Sequence, residues 1–395
     1  MKSGTSLQYK YVSINNYYFP LQQNIAFFAW MLFFRKNELI TIQPWRKTNI
    51  PLWKRLCSRY YWYIIKQNLV NIMFFVQCRL GLRNLEMVQL PVYGHFGMHV
   101  HKGYKIFNLY SNTVTKIFDA DVSRSSIMQE IERLKKVSQI SFAPSLRKWD
   151  IDERWYQEDY ILSNIATVHR SSDSDIFLKA FYREAMPCLN SLILFQPPQT
   201  KNLSRYLREI MEILEKSEFS KEKLDLEEAV IFNNFIHTTV DRLNGVRNCT
   251  VHLVFSHGDF CPANFLNSKD GLKIIDWEST ESRSLLFDFY SYFFYRHVSR
   301  KLTVAQMVSE INEALPYFIS ELSLVSPDIT DNLLASVKTY RRLYYIERLC
   351  MLVERDLTDN YLSMKYYILR YIEAFNQYDM ITRDFKEHGI GICAE

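Results

Sequence analysis

The sequence predicts an α+β protein in which a small strand-rich part precedes a larger helical one. Three observations predict it. Residues 98–118 fall into short β-branched and aromatic runs separated by Lys-Gly and Ser-Asn turns. From Asn164 onward, apolar residues recur at helical spacing over long stretches. Inside that helical region, two short apolar segments, at 254–256 and 273–275, each deliver polar side chains at a turn. The chain thus divides into a basic aromatic, partly helical N-terminal extension (1–90), a strand-rich lobe (91–162) and a helical lobe (163–395) that carries those turns. With 395 residues, 48% hydrophobic and 23% charged, the balance is globular and a sizeable core is available.

Residues 1–90 hold twelve Lys or Arg against two acids, although the whole chain carries only +5. The basic character therefore belongs to this segment. Ile25–Phe34 is an apolar run closed by Arg35 and Lys36, well short of the roughly 20 residues of a spanning helix. It starts late and no small-residue cleavage site follows, so a signal peptide is not expected either. Beyond Pro51–Leu56, the positions Trp62, Ile65, Leu69, Met73 and Val76 recur at helical spacing and mark an amphipathic helix. Tryptophans at 30, 45, 53 and 62 amid Lys and Arg suit the headgroup region of an anionic membrane. The alternative is that these helices pack on the rest of the chain or on a partner. Seven cysteines, at 57, 78, 188, 249, 261, 350 and 393, form neither a C-x-x-C pair nor a regular series, which points to reduced thiols in a cytoplasmic setting. Nucleic acid is not an expected partner, because the recognition motifs are absent despite the N-terminal charge.

Pro91–Gly97 marks the next boundary. Met98–His101, Tyr104–Tyr110 and Thr113–Phe118 read as a β-meander, and the period of two puts Val114, Lys116 and Phe118 on one face of the third strand. A helix over Ser125–Val137 follows, with Ile127, Ile131 and Leu134 in one stripe. Glu130 lies within that arc and Glu132 points away from it. A carboxylate on an apolar face calls for a cation; otherwise Glu130 sits on the flank with its carboxylate in water. Phe142–Asp150 and Arg154–Ile161 read as two strands about the turn at Asp150–Glu153.

Helical patterns then cover Asp173–Leu189, Leu203–Leu214, Asp225–Leu243, Val304–Leu322, Ile329–Leu357 and Tyr361–Tyr378, with breaks at Pro187 and Gln196–Thr200. Between them lie Val254-Phe-Ser-His-Gly-Asp-Phe-Cys-Pro-Ala-Asn-Phe-Leu266 and Lys273-Ile-Ile-Asp-Trp-Glu278. Asp259 is placed to orient and deprotonate a hydroxyl. Asn264 supplies a neutral oxygen ligand, and Asp276 the anionic one that a hard cation such as Mg2+ prefers. These are the parts phosphoryl transfer needs: an acceptor oxygen aimed in line and metal ions on the phosphate oxygens. His257 reads as an orienting residue, Cys261 as a small filler beside Pro262, and Glu278 as a contact to metal or acceptor or as surface.

His257-x-Asp259-x-x-x-x-Asn264 followed by Ile275-Asp-Trp-Glu278 resembles the catalytic loop and metal-binding motif of the aminoglycoside phosphotransferase and choline kinase family, from about Tyr104 to Tyr292. The resemblance implies a protein-kinase-like fold and a cytoplasmic enzyme using ATP and Mg2+. It implies Lys116 on the ATP phosphates, Glu130 orienting Lys116, and Val114 beside the adenine, with backbone groups near Glu158–Tyr160 bonding the base. Asp259 is then the base with His257 beside it, Asn264 and Asp276 hold the metal, and Asp288 ties the loop. His101–Gly103 would cover the phosphates, with Gly94 and Gly97 as the alternative. Asp276-Trp-Glu stands where protein kinases have Asp-Phe-Gly, and no Ala-Pro-Glu follows. The implied reaction moves the γ-phosphoryl group to a hydroxyl of a small molecule, a sugar or a lipid-linked glycan. The basic aromatic N-terminus tilts the acceptor toward a membrane-proximal sugar or lipid-linked glycan, and the protein toward a peripheral position at the cytoplasmic membrane face. The alternative is a catalytically silent kinase-fold scaffold bound to a membrane or a partner protein.

Overall fold

The computed structural model describes residues 8–34, 59–161, 163–165, 167–246, 249–299, 302–331, 333–358 and 364–387. Trp45, Trp53 and the segment Pro51–Leu56 lie outside them, as do Cys57 and Cys393. Two compact units emerge, one running to Ile165 and including Leu266–Lys273, the other made of Ala166–Phe265 and the chain from Ile274 onward.

The first unit is built on an antiparallel sheet of eight strands: β1 (Tyr9–Ile14), β2 (Tyr17–Pro20), β3 (Met87–Leu90), β4 (Phe96–Val100), β5 (Gly103–Asn108), β6 (Thr113–Phe118), β7 (Leu146–Asp150) and β8 (Trp155–Asp159). Their spatial order is β3-β1-β2-β4-β5-β6-β8-β7. The described parts of residues 1–90 are therefore not a separate extension. β1 and β2 form a hairpin about Asn15 and Asn16, both at positive φ as a two-residue I′ turn requires, and β2 pairs with β4 through Tyr17–Met98 and Tyr18–Gly97. The reason is burial. Val12, Ile14, Tyr17 and Phe19 share one core with Phe96 of β4 and Leu109 just past the end of β5.

Helix α1 (Ile25–Phe34) lays Phe28, Met31 and Leu32 into that same core, where Phe28 stacks on Phe75 of helix α2 (Arg59–Arg79) at 4.4 Å. The buried face of α2 is Asn68, Asn71, Phe75 and Cys78, while Trp62, Leu69 and Met73 of the expected apolar stripe stand 47% to 61% exposed. The packing face is thus the opposite one, with Asn71 accepting a bond from Asn15. No helix among the described residues is long and apolar enough to cross a membrane.

Helix α3 (Arg124–Val137) starts at Ser123, whose hydroxyl accepts from the Ser126 N–H, and buries Ile127, Glu130, Ile131 and Leu134. The turn from β4 to β5 needs glycine at 103: its φ is +149°, and a Cβ would lie 1.9 Å from the Ile117 carbonyl oxygen.

β9 (Ser163–Ile165) closes the first stretch of this unit. In the second unit, helices α4 (Ser174–Ala180) and α5 (Met186–Ile193) are joined by a π turn over Phe181–Ala185, so Pro187 enters within the first turn of α5 instead of ending the helical run. β10 (Gln199–Asn202), α6 (Leu203–Lys216) and α7 (Leu226–Asn244) follow, then β11 (Thr250–Ser256), which pairs with β10 and, further on, with β14 (Glu281–Ser284). Between β11 and β14 in sequence come β12 (Phe265–Ser268) and β13 (Gly271–Ile274), whose residues Leu266–Lys273 belong to the first unit, where β12 pairs with β9. The longer helices that follow are α8 (Phe287–Val298), α9 (Val304–Val325), α10 (Leu333–Thr358) and α11 (Lys365–Glu387). A curled antiparallel sheet with a Glu-bearing helix, followed by a mainly helical unit holding the two polar turns, is the α+β arrangement that a protein-kinase-like fold has.

Candidate active site

In the first unit the whole of β6 is buried, so Lys116 has no access to water. Its Nζ lies 2.8 Å from Oε1 of Glu130, and the Tyr156 hydroxyl reaches the same oxygen at 3.1 Å. Phe118, two residues on and on the same face, places its ring 5.2 Å from Nζ. Glu132 is exposed and pairs with Lys135 one turn away. The distinction between the two glutamates is a matter of helical phase, and of the two it is Glu130 that the structure brings to Lys116.

Val114 is buried in β6 opposite Phe107 and Glu158. Near the end of β8 the backbone N–H of Asp159 donates to the Ser145 carbonyl and that of Tyr160 to the Asn112 carbonyl. An adenine contact between Glu158 and Tyr160 would therefore draw on carbonyl groups rather than on those two amides.

In the second unit β11 ends at Ser256, and the loop that follows is held from below by Asp288 on α8. Its Oδ2 accepts the His257 N–H at 2.7 Å and its Oδ1 the Gly258 N–H at 3.1 Å. Burial raises the Asp288 carboxyl, against His257 and these backbone donors. Gly258 is required by its φ of +81° and by the Ser279 carbonyl oxygen, which would lie 2.2 Å from a Cβ. That close approach sets the loop against the turn after β13.

His257 is wholly buried with both ring nitrogens engaged. Nδ1 accepts the Asp259 N–H at 3.2 Å, so Nε2 carries the proton and donates to the Ile275 carbonyl at 3.1 Å. Burial lowers its pKa, which keeps the ring neutral. A histidine so bonded cannot take a substrate proton; it fixes Asp259 relative to Ile275. The backbone of Ile275 is in turn pinned from the other side, its N–H donating to the Asn264 carbonyl at 3.1 Å. Asp276 comes next, in the left-handed region at φ 72° and ψ 55°, a conformation uncommon for a residue with a Cβ. The Trp277 ring packs 4.4 Å from His257 and its Nε1 donates to the Ile274 carbonyl.

Asn264 Nδ2 donates to the backbone carbonyl of Asp259 at 2.9 Å. Because only the nitrogen of the amide can donate, Oδ1 is turned the other way and is the atom offered to a cation. Asn264 Oδ1 and the Asp276 carboxylate are oxygen donors of the kind that would suit Mg2+, an ion that takes one or two protein ligands and completes its shell with phosphate and water. Cys261 is buried in the same loop, and burial pushes its thiol well up, away from nucleophilic behaviour. All five described cysteines are free thiols.

Arg348 on α10 is the residue that sequence reasoning missed. Nη1 and Nη2 lie 3.3 and 3.2 Å from Oδ1 of Asp259, and Nη1 also reaches the Gly258 carbonyl at 3.2 Å. Burial would raise the Asp259 carboxyl, but Arg348, then His257 and Arg355, outweigh it and hold it below the usual carboxylate range. The signal available in the sequence was Glu347-Arg348, a charged pair inside the otherwise apolar run from Leu343 to Val353.

The chain matches no known family model and no curated protein. Among solved structures it is similar to a choline kinase from Streptococcus pneumoniae, with 16% identity over 71% of this chain and 91% of that one and a TM-score of 0.44. It is similar to a choline kinase from Cryptosporidium parvum, with 14% identity over 75% and 91% and a TM-score of 0.49. A Plasmodium vivax ethanolamine kinase shares 12% over 79% and 88%, with a TM-score of 0.45. The roles of the site residues therefore rest on the geometry of this chain.

Proposed function

We propose that the protein is an ATP- and Mg2+-dependent phosphotransferase that moves the γ-phosphoryl group to a hydroxyl of a small molecule, a sugar or a lipid-linked glycan. The observation that supports it most is the loop after β11, where a carboxylate and an amide oxygen are locked five residues apart and tied through Ile275 to a second carboxylate. A scaffold has no use for that arrangement. Nor has it a use for a lysine buried against a glutamate, a pair that costs desolvation and returns little stability.

In this reading Lys116 binds ATP phosphates and Glu130 holds Lys116 in place. Asn264 Oδ1 and Asp276 would hold Mg2+, which when bound neutralises charge on the phosphate oxygens. Asp259 orients the acceptor hydroxyl and receives its proton. His257 and Asp288 keep the loop in shape. Val114 lines the base. The acceptors named for similar solved structures, choline, ethanolamine and streptomycin, are all alcohols, and a primary or secondary alcohol is the acceptor class we assign.

The test is calorimetric titration of ATP with and without Mg2+, followed by a screen of alcohols for ADP release. Binding should be tight only with the metal. Equal affinity in both conditions, or none in either, would sink the reading.

A second reading concerns the surface of α2, where Trp62, Leu69 and Met73 are exposed beside Lys66. It suits an anionic membrane surface. Co-sedimentation with phosphatidylserine vesicles should weaken steeply with salt, since the attraction is screened over about 8 Å at physiological ionic strength. Salt-independent binding, or none, rejects it.

A further inference from the structure

Arg348 contacts the proposed base in an asymmetric way. Both of its terminal nitrogens lie on Oδ1 of Asp259, and one of them bridges to the Gly258 carbonyl of the same loop. The guanidinium is itself fixed: its side chain is 7% exposed and its Cζ sits 5.0 Å from the Tyr371 ring of α11. Oδ2 has a different neighbour, the Asn264 Nδ2 at 3.4 Å, a long contact from a group whose better bond goes to the Asp259 carbonyl at 2.9 Å. A cation present only to balance charge has no reason to spread over one oxygen and a backbone carbonyl. A planar fork held by a ring and a carbonyl, however, stops the carboxylate from turning about its Cβ–Cγ bond.

We propose that Arg348 is a positioning residue for phosphoryl transfer: by holding Oδ1 it presents Oδ2 as the oxygen that faces the acceptor hydroxyl. The proposal rests on the phosphotransferase reading above. In the step it serves, the acceptor O–H bond breaks as its oxygen bonds to the γ-phosphorus. The proton passes to Oδ2 of Asp259, and the bond from the γ-phosphorus to the bridging oxygen breaks with its electron pair leaving on ADP. Arg348 touches none of the reacting atoms. It acts through Asp259, from 89 residues away in sequence.

A double-mutant cycle on the full chain tests this, with Mg-ATP and water as the acceptor so that no alcohol need be identified. Arg348→Met should lower the rate of ADP release about 100-fold, the scale on which a 1 Å misplacement acts, while the Mg-ATP dissociation constant stays within about twofold. In an Asp259→Asn background the same substitution should cost nothing further, because the carboxylate it positions is gone. Arg348→Lys, whose single ammonium cannot span Oδ1 and the Gly258 carbonyl, should fall between wild type and Arg348→Met, and it carries the cycle if the methionine variant does not fold.

A rate loss of equal size in both backgrounds would mean a general structural effect and would overturn the proposal, as would a wild-type rate in either Arg348 variant. Absence of Mg-ATP binding and turnover in the wild-type protein would instead remove the functional reading, and this proposal with it.

Discussion

Replacing Lys116 with methionine removes the cation from a buried pair. Nζ and Oε1 of Glu130 are 2.8 Å apart, with the lysine side chain 0% and the glutamate 10% exposed. After the substitution the carboxylate keeps the Tyr156 hydroxyl at 3.1 Å but loses its counter-charge. Breaking a buried pair by removing one partner costs about 3–5 kcal/mol, because a desolvated charge is left behind. At 1.4 kcal/mol per tenfold, that is a loss of at least about 100-fold in the protection of the β6 amides against hydrogen exchange, provided they exchange through opening of this unit. The double variant Lys116→Met/Glu130→Gln removes both charges and should regain most of the protection, since replacing a whole buried pair is often neutral. Mg-ATP binding should not return with it. Stability and function are thereby separated in one experiment. Protection of Lys116→Met within a few-fold of wild type, or a double variant no better than the single one, would refute the reasoning.

Asp259→Asn should lower kcat by a hundredfold or more, roughly the worth of a general base, with Mg-ATP affinity near wild type, whereas Asp276→Asn should weaken Mg-dependent nucleotide binding as well; isothermal titration of both variants separates base from ligand. Deleting residues 1–90 strips β1–β3, α1 and α2 from a shared core and should yield insoluble chain rather than a folded remainder, which expression and sedimentation would show. Glu347 is buried on α10, where it accepts from the Ser284 N–H and hydroxyl and from Tyr206, and burial raises its pKa. Its folded pKa is above the unfolded one, so its contribution to stability is present below the unfolded value near 4.3 and fades as pH rises through the folded value. The melting temperature of Glu347→Gln relative to wild type should therefore climb from pH 4.5 toward pH 8 in scanning calorimetry, and a pH-independent difference would contradict the assignment.

The parts of the site that sequence made legible are those encoded locally. Helix phase separates Glu130 from Glu132 two residues on, the resemblance then pairs Glu130 with Lys116, and the loop from His257 to Asn264 is read from its own spacing. Arg348 was not legible because the contact it makes is long-range, between a late helix and the loop after β11. The strands at Tyr9–Pro20 were legible in principle: Lys10, Val12 and Ile14 alternate with Tyr9, Tyr11 and Ser13, and Asn15-Asn16 is a turn signal. The charge surplus of the segment drew attention to its surface, while its core function lay in the alternation. Likewise the apolar stripe on α2 was correct as periodicity and uninformative as to side, since Asn68 and Asn71 are buried where a hydropathy reading faces them outward.

The place of β2 inside the sheet, beside β4, has a consequence for the chain as it is made. The hairpin at 9–20 leaves the ribosome long before Phe96, the start of its lateral neighbour. At roughly 5–20 residues per second, about 4–15 s of synthesis separate the two. For much of that interval Ile25–Phe34, apolar around its whole circumference, is outside before Phe75 has been made, and for the rest of it Phe96 is still missing. A nascent chain in that state would be a ligand for holdases, and soluble yield should follow chaperone supply and elongation rate more closely than the stability of the finished protein. Slowing translation after Pro20 would lengthen the exposure, and codon choice between residues 35 and 95 becomes a practical lever on how much folded material is obtained.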